Sequence, residues 1–230
     1  YLISEIRETL FIKNEYKESL SIPYSVAFLN SVVVSEMLKV INPTVNTSVG
    51  VVMNMPFKFD NNEQIEKMAI ENIALSKVEW DWKETSIDFK KHDLIEVKNQ
   101  NESLLANLLN SCNERKKQIF HAVKNNEESI NKHFIKVLGL EKEFSYVIPD
   151  INITLFQSDF KINDGEIQFN NSEAILSLLS YFVGVCNGRF SLDKPNLILA
   201  NQGESIQDFL KQVPNPSFMP DEDNIVPVLE

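Results

Sequence analysis

A mainly α fold with a minor β component, an α+β chain of long helices packed antiparallel plus short strands, is predicted by three features of the sequence. Apolar residues recur at intervals of three and four over 23–41, 61–78 and 101–138, the spacing that lays one stripe along an amphipathic helix. Period-two alternation is confined to short stretches. The third feature is composition: 43% hydrophobic and 24% charged residues in a chain of 230 allow a sizeable core and exclude a disordered or fibrous polypeptide.

Residues 1–21 carry Leu2, Ile3, Ile6, Leu10, Phe11 and Ile12 among mixed charges and fit short strands, or a strand with a turn, as well as a helix. Pro23 then stands where a first helical residue has no amide to lose. Val26, Leu29, Val33, Met37 and Val40 predict a helix over 23–41, stopped by Pro43. The run 42–50 reads as a loop leading into a short apolar strand, Val49–Met53. Asn61 with Gln64 makes a capping-box variant ahead of Ile65, Met68, Asn72 and Leu75, a second helix reaching 77 or 78. Residues 79–92 keep neither period and hold both tryptophans, which suits an ordered connector pinned by aromatics.

From 101 to 138, Leu105, Leu109, Cys112, Ile119, Val123, Ile130, Phe134 and Val137 keep a nearly heptad spacing. One helix of that length measures roughly 55 Å at about 1.5 Å per residue. It therefore packs antiparallel against 23–41 or 61–78, or breaks near Asn125 and Asn126, and Gly139 supplies its C′ residue. After Pro149, Ile151, Ile153 and Leu155 alternate with polar residues as a half-buried strand does, and Asn163-Asp164-Gly165 is a turn. Asn170 and Glu173 cap a helix through Ala174, Ile175, Leu178, Leu179, Phe182 and Cys186, with Gly188 just past its end. Being apolar nearly all round, this helix is expected at the centre. Residues 203–213 predict a last short helix, and Pro214, Pro216 and Pro220 with Asp221, Glu222 and Asp223 an extended acidic tail.

Twenty-two Lys and Arg against 33 Asp and Glu leave a net charge of −11, the opposite of the basic footprint of a stand-alone nucleic-acid-binding module. Cys112 and Cys186 belong to no zinc or disulfide framework, which suits a reducing cytoplasmic location. No segment approaches the run of about 18 apolar residues that a membrane span needs, so no membrane partner is expected. The chain begins at Tyr1 with no initiating Met and no signal peptide, as a piece cut from something longer would.

Little catalytic chemistry is visible. His92, His121 and His133 share no metal-ligand spacing and are expected to be solvated, and the acids at 221–223 read as solvated surface, so no metal site is assigned. No serine or cysteine sits in a nucleophile elbow. Asn54-Met55-Pro56-Phe57 is one substitution from the Asn-Pro-Pro-aromatic loop of amino-methyltransferases. Met55 removes the proline that fixes that loop, and no glycine-rich loop for S-adenosylmethionine precedes it, so the segment reads as a turn ending the strand. No catalytic or cofactor-binding residue is assigned. Of the two small basic clusters, Arg115-Lys116-Lys117 and Lys90-Lys91-His92, the second is the candidate DNA contact. Trp80 and Trp82 stand two apart, so on an extended backbone both face one side, as packing residues do.

Several segments occur together in a recognisable order. They are Leu29-Asn30-Ser31, then Asn42-Pro43-Thr44 with Val49-Gly50, then Trp80-Asp81-x-x-Glu84-Thr85-Ser86-x-Asp88-Phe89-x-x-His92. Residues 134–140 and Val147-x-Pro149-x-Ile151-x-Ile153-Thr154-Leu155 follow, then Tyr181-x-Val183-Gly184, Gly188-Arg189-Phe190-Ser191-Leu192-Asp193 and 218–227. This series resembles the C-terminal part of the adenine-specific DNA methyltransferases of bacteriophage-exclusion (BREX) defence systems, relatives of the fused restriction-methylation enzymes. The resemblance implies a parent enzyme that moves a methyl group from S-adenosylmethionine to adenine N6 and acts on double-stranded DNA after base flipping, with other defence-system proteins as possible partners. It also implies a division into residues 1–98 as the end of a target-recognition region with a helical connector, 99–140 as a long scaffold helix or helix pair, and 141–230 as a C-terminal α+β subdomain with an acidic tail. The segment itself is expected to be inactive alone. The other reading of the same residues is a helical protein-interaction module of a defence complex, without DNA contact.

Overall fold

The computed structural model describes residues 21–42, 48–60, 62–97, 104–156, 160–163 and 166–221. The chain divides into two compact units, Tyr1–Ser76 with Ile119–Gln157, and Lys77–Gln118 with Ser158–Glu230. The expectations for residues 1–20, for most of the 42–50 loop and for the tail beyond 221 lie outside the described residues.

In the first unit, α1 (Ile22–Leu29) starts at Ser21, whose hydroxyl accepts the Tyr24 amide, with Pro23 in the first turn. The helix predicted over 23–41 is not continuous: it ends at Asn30 and resumes as α2 (Val32–Ile41) after a bend of 56°. The cause is remote in sequence. Asn131 Oδ1 accepts the Val32 amide at 2.8 Å, acting as the N-terminal cap that Ser31, with no side-chain cap bond of its own, does not provide. Val49–Met53, predicted as a strand, is a short helix, α3. Ser48 O accepts the Val51 and Val52 amides there, and no strand lies alongside among the described residues.

Helix α4 (Glu63–Asp81) is capped by Asn62, whose Oδ1 accepts the Gln64 and Ile65 amides; the predicted cap, Asn61, lies outside the described residues. Helix α4 also runs a turn past its predicted end. The long helix exists as one piece, α6 (Leu105–Leu138), unbroken at Asn125 and Asn126 and closed by Gly139 in the left-handed region at φ 71°. Asn126 Nδ2 donates to Asn72 Oδ1 at 2.9 Å and Glu71 Oε2 at 3.0 Å, while Asn62 meets His133, so α4 and α6 run antiparallel. Tyr24, Phe28, Val33, Ile65, Ile130 and Phe134 form the centre of this unit's core. After Pro149 the predicted strand is instead a 3-10 turn, Asp150–Asn152. Asp150 O accepts the Ile153 amide, and its carboxylate takes Lys124 at 2.6 Å, which ties the segment to a helix rather than to a strand.

The second unit contains the short helix α5 (Asp93–Glu96), a two-stranded antiparallel ribbon and two further helices. Strand β1 (Phe160–Asn163) pairs with β2 (Glu166–Phe169), Phe160 opposite Phe169 and Asn163 opposite Glu166, so the predicted turn falls between them. Its residues 164 and 165 lie outside the described residues. Helix α7 (Asn171–Cys186) begins at Asn170, which accepts the Ser172 amide, and ends before Gly188 at φ 72°. It is not central as expected. Tyr181, Val185 and Cys186 are buried, but Leu176, Leu179, Phe182 and Val183 are 45–59% exposed, because only one face of the helix meets the core. Helix α8 (Ile206–Gln212) starts with a reciprocal Ser205–Asp208 capping box.

Candidate nucleic-acid interface

Lys90 and Lys91 sit on a short extended segment whose two ends are pinned. On one side Phe89 is buried against Tyr181, Val185 and Phe190; on the other Leu94 packs with Leu108, Leu109 and Cys112. Lys91 Nζ donates to Leu192 O, and Lys90 O accepts the Asn196 amide at 2.9 Å while its side chain stands exposed. The segment forms one wall of a cleft of about 180 Å³, lined also by Val78, Asp81, Trp82, Asp88, Glu96 and Arg115.

The cleft is polar with one aromatic surface. The Arg115 guanidinium lies over the Trp82 ring at 4.7 Å and is 3.6 Å from Glu96. Lys77 bridges Asp81 and Asp88, and Ser86 Oγ donates to Asp81 at 2.8 Å. The Lys77 ammonium, then Ser86, hold Asp81 below the usual carboxylate range, and Asp81 in turn, with Asp88, raises Lys77. Two of the three acids are thus tied to Lys77 and the third faces Arg115, leaving Lys90 and Lys91 without an ion pair among the described residues.

His92, the third residue of the predicted contact, turns inward. It is 2% exposed. Ser177 Oγ donates to Ala174 O, so the 2.9 Å contact to His92 is an Nε2–H donating to that hydroxyl. The Leu94 amide is shared between His92 Nδ1 and Asp93 Oδ1. Ser177, His92 and Asp93 therefore share the residue types of a nucleophilic relay, with His92 Nδ1 3.0 Å from Asp93 Oδ1, but the Ser177 hydroxyl donates to Ala174 O and not to the imidazole. Burial lowers the His92 pKa, Asp93 opposes that shift, and Lys116 adds to it. Cys112 Sγ donates to Asp93 Oδ2 at 2.8 Å; burial, then Asp93, push its thiol up to about 12. The cluster fastens α5 to α6 and α7.

The expectation of solvated histidines therefore fails for two of three. His121 is exposed, but His133 is mostly buried in the first unit, taking Tyr24 Oη at 3.0 Å and Asp60 at 3.3 Å. The tryptophans do not share a face on an extended backbone either: Trp80 belongs to α4 and is 54% exposed, and Trp82 follows the helix and packs under Arg115. Of the second basic cluster, Lys117 pairs with Glu114 and Lys116 is buried near Asp93. The Trp82–Arg115 stack was missed by sequence reasoning, because nothing in the local spacing joins residues on separate elements. Asn54 Nδ2 donates to Gly50 O at the end of α3, and the Phe57 ring meets Tyr24 and Phe28 edge-on, a turn as expected but one closing a helix. Among the described residues no three His, Cys, Asp or Glu side chains gather as metal ligands, and no single helix is long and apolar enough to cross a membrane.

No family model matches the chain. Among curated proteins it is 28% identical over 235 residues to the adenine-specific methyltransferase BrxX of Escherichia coli O9:H4 (strain HS), an alignment covering all of this chain and 19% of that protein. It is 25% identical over 194 residues to the adenine-specific methyltransferase PglX of Lacticaseibacillus casei (strain Zhang), covering 84% of this chain and 15% of that protein. The resemblance read from the ordered segments is borne out by these matches. The chain spans less than a fifth of the length of either relative.

Proposed function

We propose that the chain is the DNA target-recognition and scaffold segment of a phage-defence adenine-N6 DNA methyltransferase, and that it carries no part of the methyl-transfer chemistry itself. The observation that supports this most is the pair of alignments, which run through the chain while taking up only 19% and 15% of two adenine-specific methyltransferases. In such an enzyme S-adenosylmethionine supplies the methyl group. The described residues do not fit that cofactor: their two strands form an antiparallel ribbon, and neither leads into a glycine-rich helix start. No residue here is assigned to it.

Duplex DNA is the substrate in this reading, and the parent enzyme is cytoplasmic. Lys90 and Lys91 meet the phosphate backbone at the rim of the Trp82–Arg115 cleft, and His92 acts from beneath by holding the segment in place. With a net charge of −11 the chain binds duplex weakly and only at low salt. Two measurements test the reading. Labelled methyl donor is incubated with DNA and this chain alone, and label in the DNA would overturn the inactive-segment claim. Duplex binding is measured across a salt series; a steep loss with rising salt is expected, and no binding at any salt would favour the interaction-module reading.

That second reading has an observation of its own, the exposed apolar face of α7 formed by Leu176, Leu179, Phe182 and Val183. In it the chain docks a protein of the same defence complex.

A further inference from the structure

The ribbon β1–β2 divides its side chains by face. Phe160 and Ile167 are buried, and Phe160 meets Phe169 edge-on at 6.2 Å. On the opposite face Lys161, Asn163, Glu166 and Gln168 are all exposed. Both strands are edge strands, paired only with each other among the described residues. Lys161 and Glu166 are charges of the kind that guard an exposed edge, and beside them stand two amides, Asn163 and Gln168, that such protection does not require.

The amides are arranged. Asn163 Nδ2 donates to Gln168 Oε1 at 2.7 Å, a diagonal pair across the strands. That bond leaves Asn163 Oδ1 as an acceptor and Gln168 Nε2 as a donor with no other partner among the described residues. Adenine presents the complement in the major groove, the N6 amino group as donor and N7 as acceptor. A groove about 12 Å wide admits a two-stranded ribbon whose strands are about 4.8 Å apart. Beside the ribbon a polar cleft of about 250 Å³ brings Asn110, Asn113, Glu114 and Lys117 of α6 up to Glu166 and Gln168. Lys161 stands directly across from Gln168. Lys161 is the cation on this face open to a phosphate of the groove wall, since Lys117 is paired with Glu114 at 3.0 Å and Glu166 stands across from Asn163.

We infer that the outer face of this ribbon reads base edges in the major groove of duplex DNA, the Asn163–Gln168 pair recognising an adenine. The inference rests on the DNA-recognition reading above and goes beyond it by naming the specificity residues. Lys90 and Lys91 supply affinity without sequence preference; the ribbon supplies the preference.

The test is selection of duplexes from a random pool by the full chain at low salt, followed by binding to the selected site with single adenines replaced by 7-deazaadenine. Adenine enrichment is expected at one position, where 7-deazaadenine weakens binding about tenfold to a hundredfold. Asn163→Ala with Gln168→Ala removes that enrichment and makes the chain indifferent to the deaza substitution. Gln168→Glu, which keeps the shape but replaces the donor with an acceptor, moves the preference from adenine toward cytosine. Lys90→Ala with Lys91→Ala lowers affinity for all sequences and keeps the enrichment. If the ribbon variants bind in the same salt-dependent way with the adenine preference intact, the ribbon inference is overturned and the DNA-recognition reading stands. If the unaltered chain binds duplex at no salt concentration, both fall.

Discussion

Glu127 is a carboxylate placed where carboxylates are rarely tolerated. It lies on α6 between the buried Val123 and Ile130, partly buried itself and without an ion pair or hydrogen bond among the described residues, and burial pushes its pKa up to about 7. The folded state therefore holds a proton that the unfolded chain releases near its ordinary value of 4.5. Stability falls as pH rises between those two values, by at most about 3 kcal/mol and by less to the extent that water reaches the group. Glu127→Gln should raise Tm at pH 8 and leave it nearly unchanged at pH 4; an equal effect at both would show that the carboxylate is not the source. At this scale the sequence was legible in part. The run Lys90-Lys91-His92 reads as three like residues, yet the buried imidazole answers to Ser177 and Leu94, and no local signal distinguishes it from its neighbours.

Among the elements, the bend between α1 and α2 depends on one side chain of α6. Asn131 is 4% exposed and caps Val32, whereas Ser31 Oγ is buried with no partner. Asn131→Ala should cost about 1–2 kcal/mol in denaturant unfolding, and Ser31→Ala should be neutral or stabilising, because it removes an unsatisfied hydroxyl. The reverse order would mean that Ser31 is the real cap. In α7, a Cβ at Gly184 would stand 2.6 Å from the Phe190 ring, which stacks on Tyr181 at 5.1 Å. Gly184→Ala should destabilise by about 1–3 kcal/mol, and pairing it with Phe190→Leu should recover part of that loss. The long helices were readable because their apolar stripe is a property of the chain itself. The strands expected at 49–53 and 151–155 were not, since neither a short apolar run nor alternation says whether a second strand is present to pair with, and the bend in 23–41 escaped because its cap is supplied from residue 131.

For the molecule as a whole, charge sets the terms of any DNA contact. Thirty-three acids against 22 bases repel a phosphate backbone on average, so a contact has to come from a local excess of cations. Replacing both Lys90 and Lys91 by Ala should reduce the slope of log affinity against log salt by about 2, close to one unit for each lost phosphate contact. An unchanged slope would place the contacts elsewhere on the surface. The resemblance was legible from ordered short segments and the ribbon's turn from Asn163-Asp164-Gly165, whereas the cleft was not, because it joins residues that only the fold brings together. Cys112 and Cys186, both free, lie inside the second unit, with their thiols held above the ordinary range by burial. Alkylating reagents and maleimide dyes should leave both sulfurs untouched until that unit opens, so the labelling rate under native conditions becomes a built-in clock for its unfolding, with no introduced probe.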